Sequence, residues 1–225
     1  MEKGNILDSI EIYRYGSSKA DLVLVQPVDR GFLSAMEKEV TEIEKLTEGK
    51  VDFQVLGCVV ESWNKQLSPW AAPPVFGKEA FGDGAAKLLE EICSFCEGEN
   101  KTYVIGGYSL AGLFALWAAY QTERFKAVAA ASASMWFPGF VEFMEEHDIR
   151  ARRVYLSLGE DEERARNKVL ASVGQRTREA ATLLKERGVS CLLEWNKGNH
   201  FQDAELRMAK AFAWAIRALT WPEDV

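Results

Sequence analysis

The stretch Gly106-Gly107-Tyr108-Ser109-Leu110-Ala111-Gly112 sets a serine among small residues. A β-type run, Lys101 to Ile105, leads into it, and an apolar helical run, Leu110 to Tyr120, leaves it. A serine on a sharp strand-to-helix turn is the nucleophile-elbow pattern, G-x-S-x-G, here with Ala111 in the second glycine place. The residues two before and two after such a serine must be small, because strand and helix approach closely there. Ser109 would then lie at a helix N-terminus, where free N–H groups and the helix dipole favour a developing oxyanion. The competing reading is a glycine-rich turn in which Ser109 merely caps the helix.

A serine nucleophile needs a base that titrates near neutral pH. The chain has two histidines, His147 and His200. His147 sits in the charged segment Glu145-Glu146-His147-Asp148, whereas His200 follows the last strand-like run in Lys197-Gly198-Asn199-His200-Phe201. His200 is therefore the candidate base. A carboxylate should fix its tautomer, and the acidic run Glu160-Asp161-Glu162-Glu163 follows the strand-like Arg153 to Leu158 and Gly159. Glu162, three residues past Gly159, is the first choice, then Glu160, then Asp161. The run could equally be a solvated helix start.

These residues need elements that bring them together. Ser9 to Tyr15 alternates weakly and reads as an edge strand; Asp21 to Gln26 and Val51 to Val60 are nearly continuous apolar runs, as in a sheet buried on both faces. Leu33, Met36, Val40 and Ile43 have helical spacing. Further strands are expected at Phe125 to Ser132, Arg153 to Leu158 and Val189 to Trp195. Helices are expected at Ala85 to Glu97 and Phe140 to Glu146, in a long stretch carrying Val169, Val173, Ala180 and Leu184, and from Asp203 to a stop at Pro222. Small residues in the Phe125 to Ser132 strand would let the helix after Ser109 pack closely. This alternation specifies an α/β fold, a doubly wound, mostly parallel sheet with helices on both faces, over 1–225 as one domain. Active sites in such sheets lie at the carboxyl ends of the strands, where Ser109, the acidic run and His200 all fall. Their chain order, serine then acid then histidine, is that of α/β-hydrolases.

The oxyanion site needs two N–H donors. Leu110 supplies one, and the loop after Asp21–Gln26 the other; Pro27 has no N–H, so Val28 or Asp29 must serve. The stretch 61–84 has neither strand nor helix period and holds Trp63, Trp70, Pro69, Pro73, Pro74 and Phe76 with several glycines, so it reads as a lid or binding loop. Trp63, Trp70 and Trp136 would line the pocket, or simply pack the core. Gly82-Asp83-Gly84 is an incomplete phosphate-cradle match and is better read as a turn before a helix.

The 225-residue chain has a net charge of −7 and no basic run, which argues against nucleic acid as a partner. Met1 to Asp8 does not resemble a signal peptide, and the most apolar run is shorter than the roughly 20 residues a membrane span needs; a cytoplasmic protein without membrane attachment is expected. Of the four cysteines, Cys58 and Cys191 read as small buried hydrophobes. Cys93 and Cys96 form a C-x-x-C late in an amphipathic helix, with no second pair or nearby histidine to complete a metal set. No metal site is expected.

The segments 107–116, 156–160 and 198–201, with the Trp63-Asn64, Ser68-Pro69-Trp70 and Ser134-Met135-Trp136-Phe137 loops, resemble the esterases of the α/β-hydrolase superfamily related to esterase D and the siderophore (enterochelin) esterases. The resemblance runs from about the first strand to the last helix. In that family the acid is often the Glu of Gly-x-x-Glu, which corresponds to Gly159 and Glu162; Ala111 departs from the common glycine. The resemblance implies hydrolysis of a small ester through an acyl-enzyme, without metal or organic cofactor. It leaves the substrate open, since members act on acetyl, formyl-thiol and siderophore esters and some transfer acyl groups. An acyltransferase, a thioesterase or a silent binding protein on the same fold are the alternatives, and the oligomeric state is not addressed.

Overall fold

The computed structural model describes residues 2–3, 10–98 and 100–221. Ser9, Pro222 and most of the Met1 to Asp8 segment lie outside the described residues, so the strand start, helix stop and leader reading placed there have no structural counterpart.

The described strands form one eight-stranded sheet in the order β1-β2-β4-β3-β5-β6-β7-β8. They are β1 (Glu2–Lys3), β2 (Glu11–Gly16), β3 (Leu22–Val28), β4 (Phe53–Val59), β5 (Thr102–Tyr108), β6 (Phe125–Ala131), β7 (Arg153–Gly159) and β8 (Ser190–Asn196). From β4 through β8 all neighbours are parallel, and β2 runs antiparallel to β4. Every residue of β3 and β4 is buried, as expected for central strands covered on both faces. The strand read as an edge is not one among the described residues: Glu2 and Lys3 pair antiparallel with Arg14 and Tyr13 along its free side. A strand of two charged residues is too short and polar to show a strand period.

The helices are α1 (Met36–Leu46), α2 (Trp63–Gln66), α3 (Ala85–Ser94), α4 (Leu110–Gln121), α5 (Phe140–Glu146), α6 (Lys168–Ala171), α7 (Val173–Glu186) and α8 (Ala204–Thr220). One face of the sheet packs on α1 and α8 through Met36, Ile43, Phe212 and Ile216. The other packs on α3, α4 and α7 through Leu88, Ile92, Phe114, Leu116 and Leu184. The α4 residues from Leu110 to Tyr120 are all buried, which is why its sequence is apolar all round rather than striped. In β6, Ala127, Ala129 and Ala131 face the α8 side and Val128 and Ala130 the α4 side, so small side chains allow close packing on both. Layers and strand order are those of the α/β-hydrolase fold.

Three local features differ from the sequence reading. Leu33 falls in a 3-10 turn, Phe32–Ala35, ahead of α1. The helix expected to carry both Val169 and Val173 is broken at Ser172 into α6 and α7, and Val169 is exposed. The 61–84 loop contains α2 and a bridge between Ala72 and Phe81. Gly82 and Gly84 close that loop by donating their N–H groups to the Asn64 and Lys65 carbonyls, and a Cβ on either would lie within 2.8 Å of the Lys65 oxygen. Those N–H groups are used, which removes the phosphate-cradle reading.

Candidate active site

Ser109 links the end of β5 to the start of α4 with φ 60 and ψ −123, a backbone conformation that L residues rarely adopt. Its side chain makes no capping hydrogen bond, so the helix-cap reading fails. The turn is possible because its neighbours are small: a Cβ on Gly107 would overlap the Ala111 carbonyl and lie 2.7 Å from the Ala111 Cβ. Ala111 is tolerated in a place where glycine is usual because Gly107 has no Cβ of its own. The turn is anchored by the Ser109 N–H to the Ala131 carbonyl at 3.1 Å and by the Ser134 N–H to the Ser109 carbonyl at 3.0 Å.

The Ser109 hydroxyl stands 3.0 Å from Nε2 of His200, and Nδ1 of the same ring is 2.7 Å from Oε2 of Glu162. The hydroxyl, imidazole and carboxylate therefore form one chain from three strand ends. Such a chain lets the imidazole take the hydroxyl proton while the carboxylate holds its tautomer and stabilises the imidazolium. Glu162 lies in a 3-10 turn, Glu162–Arg164, and is nearly buried, whereas Glu160 and Asp161 are exposed. Its Oε1 accepts from the Gly159 N–H at 2.7 Å, the Ser132 hydroxyl at 2.8 Å and Nη1 of Arg207 at 3.1 Å. Burial raises the Glu162 carboxyl, but the His200 hydrogen bond and charge, with the Gly159 and Ser132 donors, outweigh it and hold it below the ordinary carboxylate value. His147 is exposed, stacks on Phe143 and bonds the Phe143 carbonyl, away from this chain.

Arg207 and Ser132 escaped the sequence reading. Arg207 is 2 % exposed. Its Nη1 also reaches the Tyr108 hydroxyl and the Ser132 hydroxyl, each at 3.1 Å, and its Nη2 holds the Lys197 and Asn199 carbonyls, each at 2.9 Å. It ties the acid to the loop that carries His200. Tyr108 adds to this by donating to the His200 carbonyl at 2.8 Å. A signal existed: Arg207 falls in line with Ala211, Trp214 and Ala218 on the buried stripe of α8, where an arginine must have a partner. Ser132 has φ 44 and carries no such signal. Asp203 does stand at the start of α8, but its side chain makes no cap bond.

A cavity of about 300 Å³ opens beside Ser109 and His200, lined also by Gln26, Val28, Asp29 and Trp63. Leu110 is the first residue of α4, directly after Ser109. Trp70 and Trp136 do not line this cavity. Trp70 donates to the Pro138 carbonyl and packs on Phe137 and Phe143, and Trp136 packs on Phe76 and Phe81. The cysteines are free, and burial pushes Cys58 up to about 12, Cys191 up to about 11, and raises Cys93 and Cys96 as well, so none is poised as a thiolate. Among the described residues there is no cluster of metal-ligand type and no helix long and apolar enough to cross a membrane.

The model of the family described as "Putative esterase" matches residues 87–204, over half of the chain and the span that holds Ser109, Glu162 and His200. The chain belongs to this esterase family. As a member it is a carboxylic ester hydrolase. Its fold is similar to that of the siderophore hydrolase EstA from Aspergillus nidulans, at 18% identity and TM-score 0.66, covering 94% of this chain and 90% of that one. It is similar too to an IroE-like serine hydrolase from Shewanella oneidensis, at 14% identity and TM-score 0.72, over 91% and 75% of the two chains. The enterobactin esterase FES from Shigella flexneri aligns at 14% identity and TM-score 0.65, over 92% of this chain but only 56% of its own length. At such identities the likeness is one of fold. Comparison with curated proteins finds no match.

Proposed function

We propose that the enzyme is a serine esterase that cleaves a small ester through Ser109, His200 and Glu162, with the whole chain, 1–225, working as one domain. The observation that carries this reading is the unbroken chain from the Ser109 hydroxyl through both ring nitrogens of His200 to Glu162. His200 takes the Ser109 proton as the hydroxyl oxygen attacks the ester carbonyl. The Leu110 N–H, with that of Val28 or Asp29, holds the oxyanion; both of the latter residues line the cavity. His200 then gives the proton to the leaving alcohol, and a water deprotonated by His200 releases the acid from the acyl-enzyme.

Substrate class is read from the cavity. Phe32, Trp63, Tyr108 and Phe201 give it aromatic walls, and among the described residues Asp29 is its one acidic residue and no lysine or arginine lines it. Those walls suit a neutral, largely apolar acyl or aryl group better than an anionic one. Trp63 is then a substrate-binding residue, while Trp70 and Trp136 support the loops behind it. Turnover of p-nitrophenyl acetate and butyrate tests the reading: wild type should hydrolyse both, and Ser109→Ala should lose about 10³-fold or more in kcat while keeping its fold. Equal turnover by the variant would remove Ser109 from the mechanism.

A further inference from the structure

Behind the cavity wall lies a polar pair that the triad chemistry does not use. Gln26 shares its face of β3 with Leu22, Leu24 and Val28, so its side chain enters the layer between the sheet and α1, where Met36 and Ile43 pack. There its Nε2 donates to Oε2 of Glu39 at 3.2 Å. Glu39 is 0% exposed and Gln26 1%. Placing an acid and an amide in an apolar layer is costly, yet Gln26 also lines the cavity beside Ser109.

Oε1 of Gln26 and Oε1 of Glu39 are both buried and both without a partner. A proton on Oε1 of Glu39 turns one of these orphaned acceptors into a donor. Burial pushes Glu39 up to about 8 against the opposing effect of Gln26, and the charge of Glu205 adds to the rise. The charged and titratable groups facing it offer no counter-charge. On α8, Glu205 is bound to Lys38 at 2.7 Å, with Asp203 at the start of that helix. On β2, Tyr15 has a buried hydroxyl without a partner. β3 and the 3-10 turn Phe32–Ala35 contain no ionisable residue.

We propose that Gln26 contacts the bound ester from the cavity wall and that Glu39 is the positioning residue that holds its amide. This rests on the reading of Ser109 and His200 given above. The Gln26 amide carries two N–H groups; with one on Glu39, the other is free to donate to the substrate. A neutral Glu39 holds the amide without placing charge near the forming oxyanion. Ionised, it adds a buried negative charge that opposes the oxyanion.

The test follows kcat/KM for p-nitrophenyl butyrate and the rate of fluorophosphonate labelling across the neutral and alkaline range, with uncatalysed hydrolysis subtracted. Wild type should fall about five-fold or more between about pH 7.5 and 9.5, and Glu39→Gln should stay level over that range. Gln26→Leu should lose about three- to ten-fold in kcat/KM. A level wild-type profile, or the same fall in Glu39→Gln, overturns the inference. If Glu39→Gln does not fold, Gln26→Leu decides, and a value within about two-fold of wild type overturns it. Wild type that never labels overturns the Ser109 reading itself, whereas normal labelling with a level profile overturns this inference alone.

Discussion

Glu162 and its neighbours show what separates one carboxylate from three others beside it. Glu160, Asp161 and Glu163 face solvent to differing degrees, and only Glu162 turns inward to meet His200, Ser132, Gly159 and Arg207. Glu162→Gln should therefore cut kcat by about 10³-fold or more, while Glu160→Gln leaves it within about two-fold; steady-state kinetics of the two variants read this directly. Arg207 acts one contact further out. Removing it strands the Glu162 charge in a buried site and frees two loop carbonyls, so Arg207→Met should cost about 3 kcal/mol of stability and also lower kcat, as urea unfolding and turnover would show. An unaltered unfolding midpoint would mean that water replaces the guanidinium.

At the scale of elements, the β5–turn–α4 unit is the one the sequence declares most fully. Its glycines are legible because their necessity is local: Gly107 is small for the sake of Ala111, four residues on. Gly107→Ala should destabilise the fold by about 2 kcal/mol and lower the active fraction, measured as thermal midpoint together with active-site titration. The central strands and α4 were legible for a similar reason, since burial on all sides leaves unbroken apolar runs. The break at Ser172 was not. Val169 and Val173 keep helical spacing across it, and just past it Gly174 closely approaches the Glu163 side chain, a contact made only by the fold. Of the aromatic loops, composition gave their existence but not their direction. Trp63 lines the cavity, whereas Trp70 and Trp136 pack on phenylalanines, and nothing in a local pattern distinguishes those fates. The polar network around Glu162 was hidden for the same reason, because Ser132, Gly159 and Arg207 meet only through the fold.

For the whole molecule, two buried carboxylates set opposite pH dependences. Glu162 is held below its ordinary value, so the stability it contributes is present above that value and is lost as pH falls below it. Glu39 is raised from 4.5 to about 8. The folded state then keeps a proton that the unfolded chain releases, so stability declines as pH rises from the ordinary carboxylate range to about 8, by roughly 3–5 kcal/mol. Glu39→Gln should flatten that decline, seen as a smaller difference between urea midpoints at about pH 5 and about pH 8; an unchanged difference would mean that Glu39 is ionised in the fold. The proposed chemistry begins at the hydroxyl of Ser109. The most direct measurement is to treat the wild-type protein with a fluorophosphonate probe and locate the adduct by peptide mass spectrometry, with Ser109→Ala alongside. A single adduct on Ser109, absent from the variant together with its esterase activity, is the predicted result. An active wild type that labels at another residue, or a variant that still labels and turns over ester, would contradict it.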